Sequence, residues 1–544
     1  MKKLFIYMLM ISIFSTPLYV LGSQVNVINE LNLTQGPTVA KSKKRKKRRS
    51  VKRRAKKAKA RSGLIKALNL AKQGKYQQAS MKLFQLSHSP RFADKKDQIK
   101  YILGLMLYQM KLNQISAYQF ISVIKNGKKK YLKQSLEKLS LAADYLGDDT
   151  LLNYALTKVK VSSFPKKHRN MLFYRLGEFQ MRNEQVKSAI NSFKRVNSSS
   201  PYYSKAKYME ALSYAELKKF NKSISTFDKI IMNRSDQAVT DQATVGAIIG
   251  KARVQYHAKK WEDSLETYRD VPRDTKYWHN SLFESSWTML RSGRFRSALS
   301  NMHSLHSEYY EENYLPESLL LRSIVYLYIC KYEEMDKVLN LFKRVYKPVY
   351  KDVKRFIKEV KSDEDNFNLI AQYDLKNHPY ILTRKLTSHR VSKIVQRHIF
   401  EDGSFQNNYK YILKLHKEAK LMNELPASWK KSALGRYSKK VLSTRIKKAK
   451  QKTGRIVRNK LISVKEEIFD LFEQQGFIRF EMLKGKKESV KQDISGSTIA
   501  DVQIDDDNQR DYYIQNGYEY WPFKGEYWLD ELGNYHYLGT QSCQ

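Results

Sequence analysis

The residues best suited to chemistry in this sequence are His303 and His306, three apart with Glu308 close by. On a helix such a pair is half of a metal-ligand set. A zinc-type centre needs a third ligand from a neighbouring element, and none stands out. The pair is therefore read as core or surface. There is no glycine-rich phosphate loop and no cysteine pair at zinc spacing, and the serines and histidines fall into no nucleophile motif. The expectation is a chain that is not an enzyme, with no catalytic residues, no metal, no cofactor and no evident small-molecule substrate. Two cysteines, Cys330 and Cys543, do not make a disulfide framework. They could pair in an oxidising compartment. Cys330 stands in an apolar helical stretch, so a buried free thiol is the favoured expectation.

What must position the side chains is a repeated helical hairpin. The clearest copy carries Phe173, Leu176, Gly177, Ala189, Phe193 and Val196, and the next Tyr208, Ala211, Tyr214, Phe220, Ser223 and Phe227. Gly177 and Ala211 lie 34 residues apart. Small side chains let two antiparallel helices approach, and large ones fill the space to the neighbouring hairpin. The position of the second-helix small residue, taken by Leu152 and Met335 in two copies, falls at 79, 116, 152, 189, 223, 264, 298 and 335, in steps of 37, 36, 37, 34, 41, 34 and 37. This pattern resembles the tetratricopeptide repeat, TPR. The predicted fold is all-α: a TPR-like α-solenoid of about eight hairpins over residues 63–349, then a long-helix region over 350–490 and an acidic aromatic tail over 491–544. The resemblance implies a groove lined by first helices. Carried onto this sequence, it would present Tyr174, Arg182, Lys205, Tyr208, Arg253, Tyr256, Phe283, Trp287 and Arg291. Tyr, Trp and Arg are favoured anchors in protein interfaces; packing between repeats is the alternative for each aromatic.

The flanks set the compartment and the charge. Lys2 and Lys3 precede an apolar run from Leu4 to Leu21, with small residues at Gly22 and Ser23. This is the layout of a signal peptide over residues 1–22, so the protein is expected to be exported and periplasmic; a retained membrane anchor is the alternative. The net charge is +48, enough to attract polyanions or an anionic surface. Residues 23–62 form a strongly basic arm, with 15 Lys or Arg between Lys41 and Arg61 and no acid. Self-repulsion should keep it disordered. Its candidate polyanion contacts are Lys44, Arg45, Arg48, Arg49, Arg53 and Arg54.

From Ala427 to Gly485 breakers are few, and one or two long helices are expected. Lys430 to Lys465 holds 14 Lys or Arg and no acid, a second basic element in which Lys439 and Lys447 are candidate contacts. Further on, Leu461, Val464, Ile468, Leu471, Ile478 and Met482 follow 3–4 spacing. This stripe suits packing on another helix, in cis by default or in a dimer. The tail gathers Asp501, Asp505, Asp506, Asp507 and Asp511 with many aromatics, among them Trp521, Phe523 and Trp528. Rings of this size favour burial. Docking back onto basic parts of the chain is favoured over a motif offered to a partner.

The stretch from Tyr520 through Trp521, Pro522, Phe523, Trp528 and Gly533 to Tyr535 resembles the C-terminal ends of exported TPR proteins in gliding and predatory proteobacteria. Some of that family are assigned to adventurous gliding-motility machinery of the cell envelope. The resemblance implies an envelope assembly role with protein partners. Two functions of different class follow as expectations: a non-enzymatic protein-binding scaffold of the envelope, and a polyanion-binding protein acting through residues 41–61 and 430–465. The oligomeric state stays open.

Overall fold

A computed structural model of the chain describes residues 63–126, 131–147, 155, 166–232, 242–382, 391–495, 527–535 and 537, with side chains through 488 in the long C-terminal helix and residue 167 by its backbone alone. The signal segment, the basic arm with Lys44, Arg45, Arg48, Arg49, Arg53 and Arg54, and Trp521 and Phe523 lie outside the described residues. Every regular element among the described residues is helical, and none is a strand. The fold is all-α, in keeping with the scarcity of Gly and Pro and the 3–4 periodicity.

In chain order the helices are α1 (63–72), α2 (Tyr76–Ser87), α3 (Lys96–Gln109), α4 (Asn113–Lys125), α5 (Leu132–Leu146), α6 (Arg169–Arg182) and α7 (Val186–Lys194). Then come α8 (Tyr203–Glu216), α9 (Phe220–Met232), α10 (Gln242–His257), α11 (Trp261–Arg269), α12 (Trp278–Arg291), α13 (Phe295–Leu305), α14 (Pro316–Tyr328) and α15 (Tyr332–Glu359). Last are α16 (Asp363–Ala371), α17 (Lys393–Glu401), α18 (Gly403–Glu424), α19 (Ala427–Lys430) and α20 (Ala433–Ser495). None of the described helices is long and apolar enough to cross a membrane.

The repeat has a backbone signature. Gly74, Lys111, Gly147, Glu184, Lys218, Lys259, Gly293 and Cys330 all adopt the left-handed region, with φ from 56° to 76°. Their spacing is 37, 36, 37, 34, 41, 34 and 37 residues, the same series as the sequence repeat. Each left-handed residue ends a first helix. Wherever the residue after it is described, that residue donates its N–H to the carbonyl five back, as Leu112 to Leu107, Gln185 to Gln180 and Lys219 to Tyr214, each at 2.9 Å. Such a closure satisfies carbonyls that a helix end leaves without partners. Five of the eight residues are not glycine, and each non-glycine costs roughly 1–2 kcal/mol of backbone strain.

Packing follows the same phase. Seven residues before the turn stand Ala67, Gly104, Ser140, Gly177, Ala211, Ala252, Ser286 and Ser323, all buried. Five after it stand Ala79, Ser116, Ala189, Ser223, Ser264, Ala298 and Met335, all at 0 % exposure. Ser223 Oγ donates to the Ala211 carbonyl at 2.8 Å, and Ser264 Oγ to that of Ala252 at 2.9 Å. Large side chains fill the next level. The Phe120 ring lies where a Cβ on Gly104 would stand 2.6 Å away, and the Phe193 ring where one on Gly177 would stand 2.4 Å away. Each fully buried Phe contributes on the order of 1.5–3 kcal/mol. Each helix in α7–α15 contacts the next, and α8, α10, α12 and α14 also contact one another as a continuous layer.

The chain forms two compact units. One contains Gly177–Phe405 and the chain from Gly454; the other runs up to Leu176 and takes in Gln406–Thr453. In the first unit α15 continues through Pro348 to Glu359 and pairs antiparallel with α20. Tyr332 meets Gly485, Arg479 donates to Asp336 at 3.0 Å, the Phe342 and Phe472 rings lie 5.1 Å apart, and Arg458 donates to the Val360 carbonyl at 2.7 Å. Leu461, Val464, Ile468, Leu471 and Met482 are buried. In the second unit Trp429 is fully buried and donates its indole N–H to Ser80 Oγ at 3.2 Å.

The expectation for Cys330 is corrected. It sits on a left-handed turn, φ 56°, partly exposed, and is disulfide-bonded rather than a free thiol. Apolar neighbours suggested a helix interior, but the repeat places a helix end there. Cys543, the other cysteine of the chain, lies outside the described residues.

Candidate binding surfaces

The side chains assigned to a groove separate into buried and exposed sets. In the first unit Tyr208 is 3 % exposed, set edge-on to Phe227 with ring centroids 5.5 Å apart. Burial pushes its hydroxyl pKa up to about 12. Arg253 forms a two-pronged bond with Glu284, Nε to Oε2 at 2.7 Å and Nη2 to Oε1 at 2.5 Å. The Tyr268 hydroxyl adds a third bond to Glu284 at 2.9 Å. Burial alone would lower the Arg253 pKa; the Glu284 carboxylate outweighs it and holds it raised. Glu284 thus ties α10, α11 and α12 together. Breaking such a pair from one side is destabilising, because it leaves a half-buried charge without its partner.

Phe283 and Trp287 are half-buried against Met302, Leu305 and Leu321. Tyr256 packs edge-on to Trp261 at 5.1 Å. Lys205 is half-buried, while Arg182 and Arg291 are exposed. In the second unit Tyr174 is 5 % exposed, with the Arg175 guanidinium 5.4 Å from its ring. The geometry gives most of these rings a packing role and leaves Arg182 and Arg291 as the cations of the set that face solvent.

A more developed contact surface lies on α12 and α13, where residues 527–535 and 537 of the first unit pack. Leu532 is 3 % exposed and joins a cluster with Trp278, Tyr277 and Leu282. Gly533 has φ +85°, and a Cβ there would stand 2.4 Å from the Trp278 ring, so only glycine fits. Its N–H donates to Ser304 Oγ at 2.7 Å, and that of Tyr537 to Ser300 Oγ at 2.9 Å. Two serines one helical turn apart thus receive two amides four residues apart. Arg273 donates to Asn534 Oδ1 at 2.6 Å. Trp528 is 59 % exposed. Backbone amides and an apolar anchor carry this contact; the acidic stretch 501–511 lies outside the described residues.

His303 belongs to the same surface. Its ring lies 4.8 Å from that of Tyr535 and 5.2 Å from that of Tyr527. His306 shares a hydrogen bond with Ser318 Oγ at 2.8 Å. Burial, reinforced by Arg322, lowers the two imidazoles to about 4 and about 3. No group of three or more His, Cys, Asp or Glu among the described residues is placed to hold a metal ion.

In the second unit the α18 carboxylate of Glu418 caps α4, accepting the N–H of Gln114 at 2.8 Å and of Ile115 at 3.2 Å. A helix N-terminus favours an anion, yet burial dominates and raises Glu418 to about 7. Lys439 and Lys447 on α20 are exposed. A basic surface that the sequence reading passed over lies on α15 in the first unit: Lys343, Arg344, Lys347 and Lys351 line a shallow depression around Pro348. Their spacing of three to four residues was the available signal, obscured by the apolar residues between them. No protein-family model matches the chain, and no curated protein matches it either.

Proposed function

We propose that this chain is a non-enzymatic, exported scaffold of the bacterial cell envelope, built as a TPR-like α-solenoid whose surfaces hold partner proteins, in a motility-related or other envelope assembly. The observation that carries the reading is the eightfold recurrence of the left-handed turn in constant phase with buried small residues. Stacked hairpins of this kind form extended surfaces for binding. Export is supported by the apolar run from Leu4 to Leu21 behind Lys2 and Lys3, the layout of a signal peptide. The motility component rests on the resemblance of residues 520–535 alone.

A second reading is a polyanion-binding protein acting through residues 41–61 and 430–465. It is favoured by the exposed cations Lys439 and Lys447 and the basic depression on α15. Crosslinked pull-down from intact cells separates the two. Full-length protein and versions lacking residues 41–61 or 491–544 are compared. The scaffold reading expects discrete envelope proteins that survive loss of the arm and high salt. Recovery of only lipid or nucleic acid, lost with the arm and at high salt, would overturn it.

A further inference from the structure

We propose that the exposed apolar stripe on the C-terminal half of α20 is a self-association surface, on which a second copy of this chain packs antiparallel across Gly476. The face α20 turns to α15 is buried. A second face is apolar and open: Phe477, Phe480 and Leu483 are 74 %, 64 % and 57 % exposed, and Phe469 47 %. Phe469, Gly476 and Leu483 are seven apart, nearly two helical turns, and Phe480 falls between them on the same side. Contiguous apolar patches of this kind mark interaction sites on soluble proteins.

The occupant is read from the charges and the glycine. Glu466, Asp470 and Glu473 flank the stripe before Gly476; after it Lys484 and Lys487 outnumber Glu488, all exposed. In an antiparallel pair centred on Gly476, residues equally far before and after it face each other. Lys484, eight after, then meets the partner between Asp470 and Glu466, six and ten before. Phe469 and Leu483, seven before and seven after, meet as an apolar pair. A parallel pair would set acid on acid. An anionic lipid surface would meet the carboxylates of Glu466, Asp470 and Glu473. At the centre, a Cβ on Gly476 would meet nothing within 4 Å, so two backbones can approach there.

The test is light scattering of the full chain over a concentration series. Wild type is expected to dimerise. Phe480→Glu should weaken dimerisation at least tenfold with helical content unchanged, because the side chain is exposed. Lys484→Glu should weaken it, and Asp470→Lys added to Lys484→Glu should restore it. Gly476→Cys should crosslink to its own copy on oxidation. Leu483→Cys should not, its own copy being about 21 Å away. A monomer at every concentration, a dimer indifferent to Phe480→Glu, or equal crosslinking of the two cysteine variants would overturn the proposal. So would a monomer that binds anionic phospholipid vesicles in a Phe480-dependent way, which would assign the stripe to lipid.

Discussion

Gly454 lies where α20 crosses the start of α16, and replacing it with alanine should open that crossing. A Cβ at Gly454 would stand 1.6 Å from the Asp363 carbonyl oxygen and 2.5 Å from its carbon. Non-bonded atoms rest at roughly 3.5 Å, so the helix must move by about 2 Å. The obstacle is main chain, and no rotamer change relieves it. The move would draw Arg458 off the Val360 and Ile357 carbonyls, which it meets at 2.7 and 3.3 Å. Overpacking costs about 1–3 kcal/mol, and loss of bonds from a charged donor adds about 1–3 kcal/mol. The better helix propensity of alanine offsets about 1 kcal/mol. The net is destabilisation near 3 kcal/mol, about a hundredfold faster hydrogen exchange for amides of α16. Exchange is the right assay because two compact units need not unfold in one step. Gly476→Ala in the same helix, measured at a concentration that keeps the chain monomeric, should slow exchange nearby by severalfold, because only the propensity gain remains. Unchanged or slowed exchange in Gly454→Ala would refute the reasoning.

Four further outcomes are expected. Gly177→Ala forces the Phe193 ring from a 2.4 Å approach and should cost about 1–3 kcal/mol; adding Phe193→Leu should recover part of it in thermal melts, and strictly additive effects would count against the interlock. Lys218→Gly, at φ 57°, should stabilise by up to about 1 kcal/mol, whereas Ser225→Gly on the exposed face of α9 should destabilise by a similar amount; the same sign for both would be the wrong result. The imidazoles of His303, His306, His398 and His416 are lowered by burial to about 4, 3, 4 and 4, so the unfolded chain takes up their protons first and stability present above pH 6.5 is lost as pH falls toward 4. Glu418 and Glu467, raised by burial to about 7, act oppositely, their contribution being present below about pH 4.5 and lost as pH rises to 7; four histidines against two carboxyls leave a melting temperature that falls between pH 6.5 and 4.5, with a slope that His306→Asn should reduce by about one proton. Finally, Gly533→Ala cannot keep its φ of +85° beside Trp278 and should make residues 527–537 faster to cleave in limited proteolysis, which unchanged cleavage would contradict.

The phase of the hairpins was legible because it is written in side-chain volume: Gly177 opposite Phe193, Ala211 opposite Ser223. The left-handed turns were not, since Lys111, Glu184, Lys218, Lys259 and Cys330 carry no local preference for that backbone and are held there by the helices on either side. This is also why Cys330 read as a helix interior. The α20 stripe showed that it needed a helix to lie on, but not that α15 would supply it, because a pairing of residues as far apart as Asp336 and Arg479 leaves no local trace. Aromatic and cationic groove residues were placed by repeat register. Register does not say whether Tyr208 or Arg253 finds a partner inside the stack, and Glu284, which engages Arg253, carried no signal of its own. The serines that receive the amides of Gly533 and Tyr537 were invisible for the same reason.

A buried small residue stands seven before every turn, while the distance from one turn to the next varies between 34 and 41 residues. The variation in length therefore falls in the stretch that leads from one hairpin to the next, outside the part fixed by the turn and its small residue. An array built this way behaves as a string of exchangeable cassettes. Evolution can lengthen a link, or duplicate or excise a whole hairpin between two equivalent links, without repacking what remains. The number of hairpins, and with it the reach of the surface, is then a quantity that relatives of this chain can vary more readily than the contacts within any one hairpin.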